Sequence, residues 1–172
     1  MRRVLPWLAV AGLLASQPVH AQSVCASPTD QQTFELQALK SMMMVLATSC
    51  HADSEYNAFV NRYKPELGAN EQSFDEYFRK RYGRQAQREH DAYITALANA
   101  QSDVGMHLGG DFCPRDKALF TEVLALRGPA DLAPYAAGKD LVPESLGACA
   151  PAPPMPARPV ARTRASHAAV KH

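Results

Sequence analysis

The segment Pro28–Cys50, PTDQQTFELQALKSMMMVLATSC, is apolar on two faces of a single helical repeat. Ser27 stands where a capping residue belongs. Pro28 falls in the first turn, where a missing N–H costs nothing, and Asp30 lies near the positive end of the helix dipole. Leu36, Leu39, Met43, Leu46 and Cys50 then share one stripe at helical spacing, while Phe34, Ala38 and Val45 fall almost opposite. A helix with two apolar faces packs between neighbours. This stretch is therefore expected to be the central helix of an all-α protein.

The flanking sequence supplies those neighbours. Ser54 is placed to cap a second helix in which Tyr56, Phe59, Val60 and Tyr63 follow helical spacing, ended by Lys64-Pro65. After Gly68 a third helix presents Phe74, Phe78 and Tyr82 and stops near Gly83. From 85 to 108, His90, Ile94, Leu97, Gln101, Val104 and Leu108 alternate steps of four and three, and Gly109-Gly110 ends the run. Pro114 opens a fifth helix carrying Leu119, Phe120, Val123, Leu124 and Leu126, closed by Gly128-Pro129, and Asp131 caps a short sixth reaching Gly138. No segment alternates with period two, and 13 prolines against 9 glycines argue against a many-turned β-barrel. The expectation is a disulfide-stapled bundle of about five helices plus a short sixth.

The two ends of the chain differ from this body. Residues 1–21 contain Arg2 and Arg3, an apolar run from Val4 to Ala15, Gln17-Pro18, and then Val19-His20-Ala21. That order is the order of a secretory signal peptide cleaved after Ala21. The run is shorter than the roughly 18–20 apolar residues a membrane span requires. No later segment is long enough to span either. Residues 150–172 hold prolines, alanines, Arg158, Arg162, Arg164 and Lys171 with no acid and no apolar periodicity, the composition of a disordered tail. The formal charge of +1 is thus a sum of unlike parts. Residues 22–149, a single helical domain, have 12 basic and 17 acidic side chains, net −5, and the tail contributes +4. The mature protein is expected to be periplasmic or secreted.

Four cysteines, Cys25, Cys50, Cys113 and Cys149, read as two disulfides in an exported chain. Their spacing excludes CxxC redox motifs, haem attachment and zinc knuckles. A helix over 28–50 would be about 33 Å long, whereas bridged Cα atoms lie within about 7 Å, so Cys25 cannot pair with Cys50. Two pairings stay open on geometry: Cys50–Cys113 with Cys25–Cys149, or Cys25–Cys113 with Cys50–Cys149.

Three groups of residues invite a chemical reading. Glu89-His90-Asp91-Ala92-Tyr93 resembles, over three residues, the helix motif of secreted phospholipases A2. That resemblance implies His90 as general base and Asp91 as calcium ligand. The cysteine that precedes the histidine there is missing here, as is the glycine-rich calcium loop. His90 also belongs to the apolar stripe, where a hydrogen-bonded histidine at the core edge is the plainer reading. His51, His90, His107, Met42, Met43, Met44 and Met106 are soft-metal donors, but consecutive methionines on a helix point about 100° apart and cannot converge, so no metal and no cofactor is expected. The run Arg79, Lys80, Arg81, Arg84, Arg88 has no acid, and 80, 84 and 88 would stack on one helical face, a candidate contact for an anionic partner. The acidic body around it speaks against nucleic acid. Gly-x-Ser-x-Gly, His-Glu-x-x-His, phosphate loops and dinucleotide fingerprints are all missing from the sequence.

Leu36 to Cys50, followed by Tyr56-Asn57, Phe59-Val60, Arg62-Tyr63, Tyr77-Phe78, Tyr82-Gly83, Leu97-Ala98-Asn99 and Phe112-Cys113, resembles small exported α-helical proteins of alphaproteobacteria over residues 34–122. The resemblance implies no activity. It does imply that Cys50 and Cys113 form a pair, leaving Cys25 for Cys149. The function expected is that of a non-enzymatic accessory or interaction protein of the bacterial envelope, binding an envelope protein or an anionic envelope polymer. A small phospholipase-like hydrolase built on His90 and Asp91, and a periplasmic holdase chaperone, are the alternatives.

Overall fold

The computed structural model describes residues 27–146. The leader, Cys25, Cys149 and the tail expected over 150–172 lie outside the described residues, as does the pairing of Cys25 with Cys149. Among the described residues the secondary structure is entirely helical.

Four helices of ten residues or more carry the architecture: α1 (Pro28–Cys50), α2 (Asp53–Arg62), α3 (Lys64–Tyr82) and α4 (Ala86–Leu108). Three short ones follow: α5 (Phe112–Asp116), α6 (Ala118–Leu124) and α7 (Leu132–Ala137). The Ser27 cap forms as a reciprocal box, its hydroxyl accepting the Asp30 N–H while the Asp30 carboxylate accepts the Ser27 N–H, both at 3.2 Å. α1 is the central helix, packed against α2, α3, α4 and α7. Leu39, Met43, Leu46, Phe34, Ala38 and Val45 are all buried, so both apolar faces find neighbours.

The expected fifth helix is a correction. Four long helices, not five, make the bundle, because the stretch after Pro114 breaks at Lys117 into α5 and α6. The Phe120 N–H bonds the Lys117 carbonyl three residues back, which tightens the chain into a turn. The break lets Cys113 reach the end of α1 while Leu119, Phe120 and Val123 enter the core beside α2. The α2–α3 boundary also moves. Lys64-Pro65 ends α2 but starts α3 at once, because proline fits a first turn, and Gly68 lies inside α3 with open space around it. Ser54 is not the cap of α2. Ala52 holds that position, and the Ser54 hydroxyl bonds the Glu55 carboxylate at 2.6 Å. On α4, Val104 departs from its expected stripe and is 49% exposed; Gly105 faces the core instead, with the Phe112 ring so near that a Cβ would stand 3.0 Å from it.

Gly83 and Gly109 end α3 and α4 at φ +54°, a region where only glycine is unstrained. The tight turn at 83–85 folds α4 back along α3: Phe78 meets His90, and Phe74 meets Tyr93.

The interior divides in two. One cluster gathers Leu39, Met43, Leu46, Phe59, Tyr63, Phe112, Phe120, Val123 and Leu132 from α1, α2 and α5–α7. Cys50 and Cys113 bridge beside it, with Cα atoms 5.6 Å apart. The other gathers Phe34, Phe74, Phe78 and Ala86, with Tyr77, Tyr82, Tyr93 and Ile94 packed around them. No helix among the described residues is long and apolar enough to cross a membrane.

Candidate functional site

The aromatic end of the bundle holds the one described group of side chains with the donor types and proximity to hold a metal ion. On α3, Glu71 and Asp75 are four residues apart and so share a face, and Phe74 and Phe78 line the edge next to it. α4, returning along α3, lays the His90 ring against both phenyl rings, with centroids 5.2 Å and 5.5 Å away and the planes steeply inclined. His90 is thereby fixed by packing, its side chain only 15% exposed.

The two ring nitrogens see different surroundings. Nδ1 lies 3.1 Å from Asp91 Oδ1, which also accepts a hydrogen bond from Gln87 Nε2 at 2.9 Å. A carboxylate has only lone pairs to offer, so Nδ1 carries the proton. Nε2 lies 3.5 Å from Asp75 Oδ1 and 3.7 Å from Glu71 Oε1, within ion-pairing distance but without hydrogen-bond geometry, and the atom is buried. Lys40 on α1 holds the other oxygen of Glu71 at 2.6 Å. Asp75, Phe78, Arg79, Ala86, Gln87 and His90 line a small open cleft of about 100 Å³ beside this group.

Tyr93 shares the aromatic cluster. Burial, helped by the charge of Tyr77, pushes its phenol up, and its buried hydroxyl oxygen has no hydrogen-bond partner. A phenol so held stays protonated at neutral pH and is no nucleophile.

His90 and Asp91 do come together, Nδ1 lying 3.1 Å from the carboxylate. In a His-Asp couple, the nitrogen opposite the carboxylate takes the substrate proton, and here that nitrogen is buried against two further carboxylates. Sequence reasoning missed Glu71 and Asp75. Their spacing of four along a helix was visible in the sequence, but nothing local showed that α4 would bring a histidine onto the same face.

The other candidates disperse. Met43 is fully buried in the core, Met106 is 71% exposed, and His51 caps α1 in a left-handed conformation, with its N–H bonded to the Ala47 carbonyl. His107 Nδ1 lies 2.7 Å from the Asp103 carbonyl on its own helix. The basic residues do not stack on one helical face: Lys80 and Arg81 end α3, Arg84 lies in the 83–85 turn and Arg88 begins α4, because Gly83 breaks the helix between them. Lys80 pairs with Glu76 at 2.8 Å, a contact that raises the amine and lowers the acid, and Arg88 pairs with Glu89 at 2.6 Å. Arg81 lies over the Tyr82 ring.

At the opposite end, Glu122 accepts a hydrogen bond from the Tyr135 hydroxyl at 2.9 Å and a short ion-paired one from Lys139. These contacts lower the Glu122 carboxyl, Lys139 contributing most, while burial and the Glu122 bond raise the Tyr135 phenol. The group ties α6 to α7.

No protein-family model, no curated protein and no solved structure matches the chain.

Proposed function

We propose that the chain is an exported helical accessory protein of the bacterial envelope that acts by binding rather than by turning over a substrate. The Cys50–Cys113 bridge is the observation that carries this reading, because it joins positions 63 residues apart and ties α5 to the end of the central helix. Such bridges persist in oxidising compartments. Together with the signal-like order of residues 1–21, this supports passage out of the cytoplasm to the periplasm or beyond. The basic tail and the basic residues Lys80, Arg81, Arg84 and Arg88 are the contacts proposed for an anionic envelope polymer or an acidic partner protein.

Expression of the whole reading frame in a Gram-negative host tests this. The expected product starts at Gln22, is released with the periplasmic fraction or the medium, and takes up a thiol reagent at Cys50 and Cys113 only after reduction. Recovery of the uncleaved chain in the cytoplasm with both thiols free would overturn export. Within the same preparation, pull-downs with and without residues 150–172 measure the tail's share of binding, and equal recovery of every partner would remove the tail from the proposal.

A further inference from the structure

Three atoms able to ligate a metal converge between α3 and α4: His90 Nε2, Glu71 Oε1 and Asp75 Oδ1. In the tautomer with the proton on Nδ1, facing Asp91, Nε2 has a lone pair for a metal ion and stands beside Glu71 Oε1 and Asp75 Oδ1. The three ligand atoms lie within 4.8 Å of one another. Nε2 is shut off from water and makes no hydrogen bond, a costly state in a protein interior. A metal cation at the centre would bond all three atoms.

We propose that Glu71, Asp75 and His90 form a three-ligand site for a divalent transition-metal ion of the zinc class. The two spacings at Nε2 fit such an ion. Ligands bound at 2.0–2.2 Å in a tetrahedron stand roughly 3.3–3.5 Å apart. The two edges that meet at Nε2 measure 3.5 Å and 3.7 Å, so closure needs shifts of only tenths of an ångström along them. The donor set selects as well. One imidazole and two carboxylates suit zinc, cobalt or manganese, whereas calcium calls for six to eight oxygens and copper(I) for sulfur. A carboxylate on the far nitrogen of a liganding histidine fixes its tautomer and orientation, and Asp91 has that place here. Phe74 and Phe78 hold the ring in line, and Lys40 leaves one oxygen of Glu71 for the metal while balancing the other. Asp75 and His90 also line the cleft bordered by Arg79 and Gln87, from which water or a ligand could complete the coordination. This site stands independently of the export reading.

Titration of the full chain, purified without a histidine tag, with Zn²⁺ by calorimetry and with Co²⁺ by visible absorption tests the site. His167→Ala and His172→Ala are introduced to remove the tail's imidazoles. One equivalent of Zn²⁺ is expected per chain, displacing Co²⁺, and Zn²⁺ is expected to move the ¹⁵N resonance of His90 Nε2. Asp75→Asn and Glu71→Gln should each weaken binding at least about 10-fold, and Asp91→Asn, acting through the histidine, by about 10- to 100-fold. His90→Gln should abolish binding. Asp75 is half exposed on a regular helix, so its variant retains the fold even if the His90 variant does not, and far-UV circular dichroism checks this. Equal Zn²⁺ affinity of the Asp75→Asn protein and its parent would overturn the proposal. So would a His90 Nε2 resonance that follows pH but ignores saturating Zn²⁺, which would mean that a proton fills the gap.

Discussion

Two tyrosines with buried hydroxyls, one at each core, show how differently the ends of the bundle are built. Tyr63, wholly buried where α2 meets α3, donates its hydroxyl to the Val123 carbonyl at 2.6 Å and accepts from Arg62 Nε at 3.0 Å, while the same guanidinium bonds the Leu126 carbonyl. Tyr93, in the aromatic cluster, buries a hydroxyl oxygen that has no partner. At the first end the tyrosine hydroxyl is satisfied and a disulfide ties the helices together. The second leaves Tyr93 and His90 Nε2 unpartnered among rings and carboxylates. Buried polar groups in a folded protein are nearly all bonded, and besides these two only Gln37, Glu66 and Gln101 keep such an atom without a hydrogen bond among the described residues. At the aromatic end the two exceptions stand in one cluster of rings.

The largest effect should come from removing the staple. Cys50→Ala with Cys113→Ala frees a 63-residue separation, which chain entropy values at about 4 kcal/mol, read as a drop in the denaturant midpoint. Hydrogen exchange should rise first in α5 and α6, which the bridge holds against α1, and last in α3 and α4. Loss spread evenly over all helices would erase the distinction between the two ends.

Next comes Phe34, the hub of the aromatic end, whose ring meets Phe74, Tyr77 and Tyr93 edge-on at 4.8–5.1 Å. Phe34→Leu keeps an apolar side chain but forfeits those contacts, at about 2 kcal/mol. The disturbance should reach His90, because Phe74 touches both rings. An unchanged His90 resonance in this variant would separate the site from its aromatic support.

The tyrosine pair then sharpens the contrast. Tyr63→Phe leaves the Val123 carbonyl and the Arg62 guanidinium short of a partner and should cost about 1–2 kcal/mol. Tyr93→Phe removes an oxygen that had no partner and should be neutral or stabilising. Burial raises the Tyr93 phenol above its ordinary value of 10, so the unfolded chain ionises there first, and stability falls as pH climbs past that value. Tyr93→Phe should flatten this alkaline decline, as urea unfolding at pH 9 and pH 11 would measure.

The sequence made the scaffold more legible than the site, for a physical reason. Apolar periodicity reports on one helix at a time, so the double-faced α1, the Gly83 and Gly109 stops and the run of α4 could be read locally. What the periodicity could not report is competition between distant demands. The break at Lys117 exists because Cys113 and Phe120 must reach different neighbours, and proline's ambiguity as stop or start at Pro65 is settled by Leu67 entering the core. The site is non-local in the same way. His90 was legible as a core-edge histidine, but its meaning rests on Glu71 and Asp75, on the preceding helix, which only the return of α4 along α3 brings within reach.

The smallest effect should come from the polar group on the stapled end, and its sign follows from linkage. Lys139 and Tyr135 lower the Glu122 carboxyl below its ordinary 4.5 in the folded chain, so the unfolded chain binds protons more readily there. The stabilisation is complete above pH 4.5 and is lost as pH falls through the lower folded value. Glu122 is largely exposed, so water screens the pair, and Glu122→Gln should lower stability only slightly at pH 7 and not at all near pH 2. Melting curves of both proteins across that range should therefore converge in acid. If they instead stayed parallel, Glu122 would matter by packing α6 on α7 rather than by charge, and the stapled end would owe nothing to electrostatics.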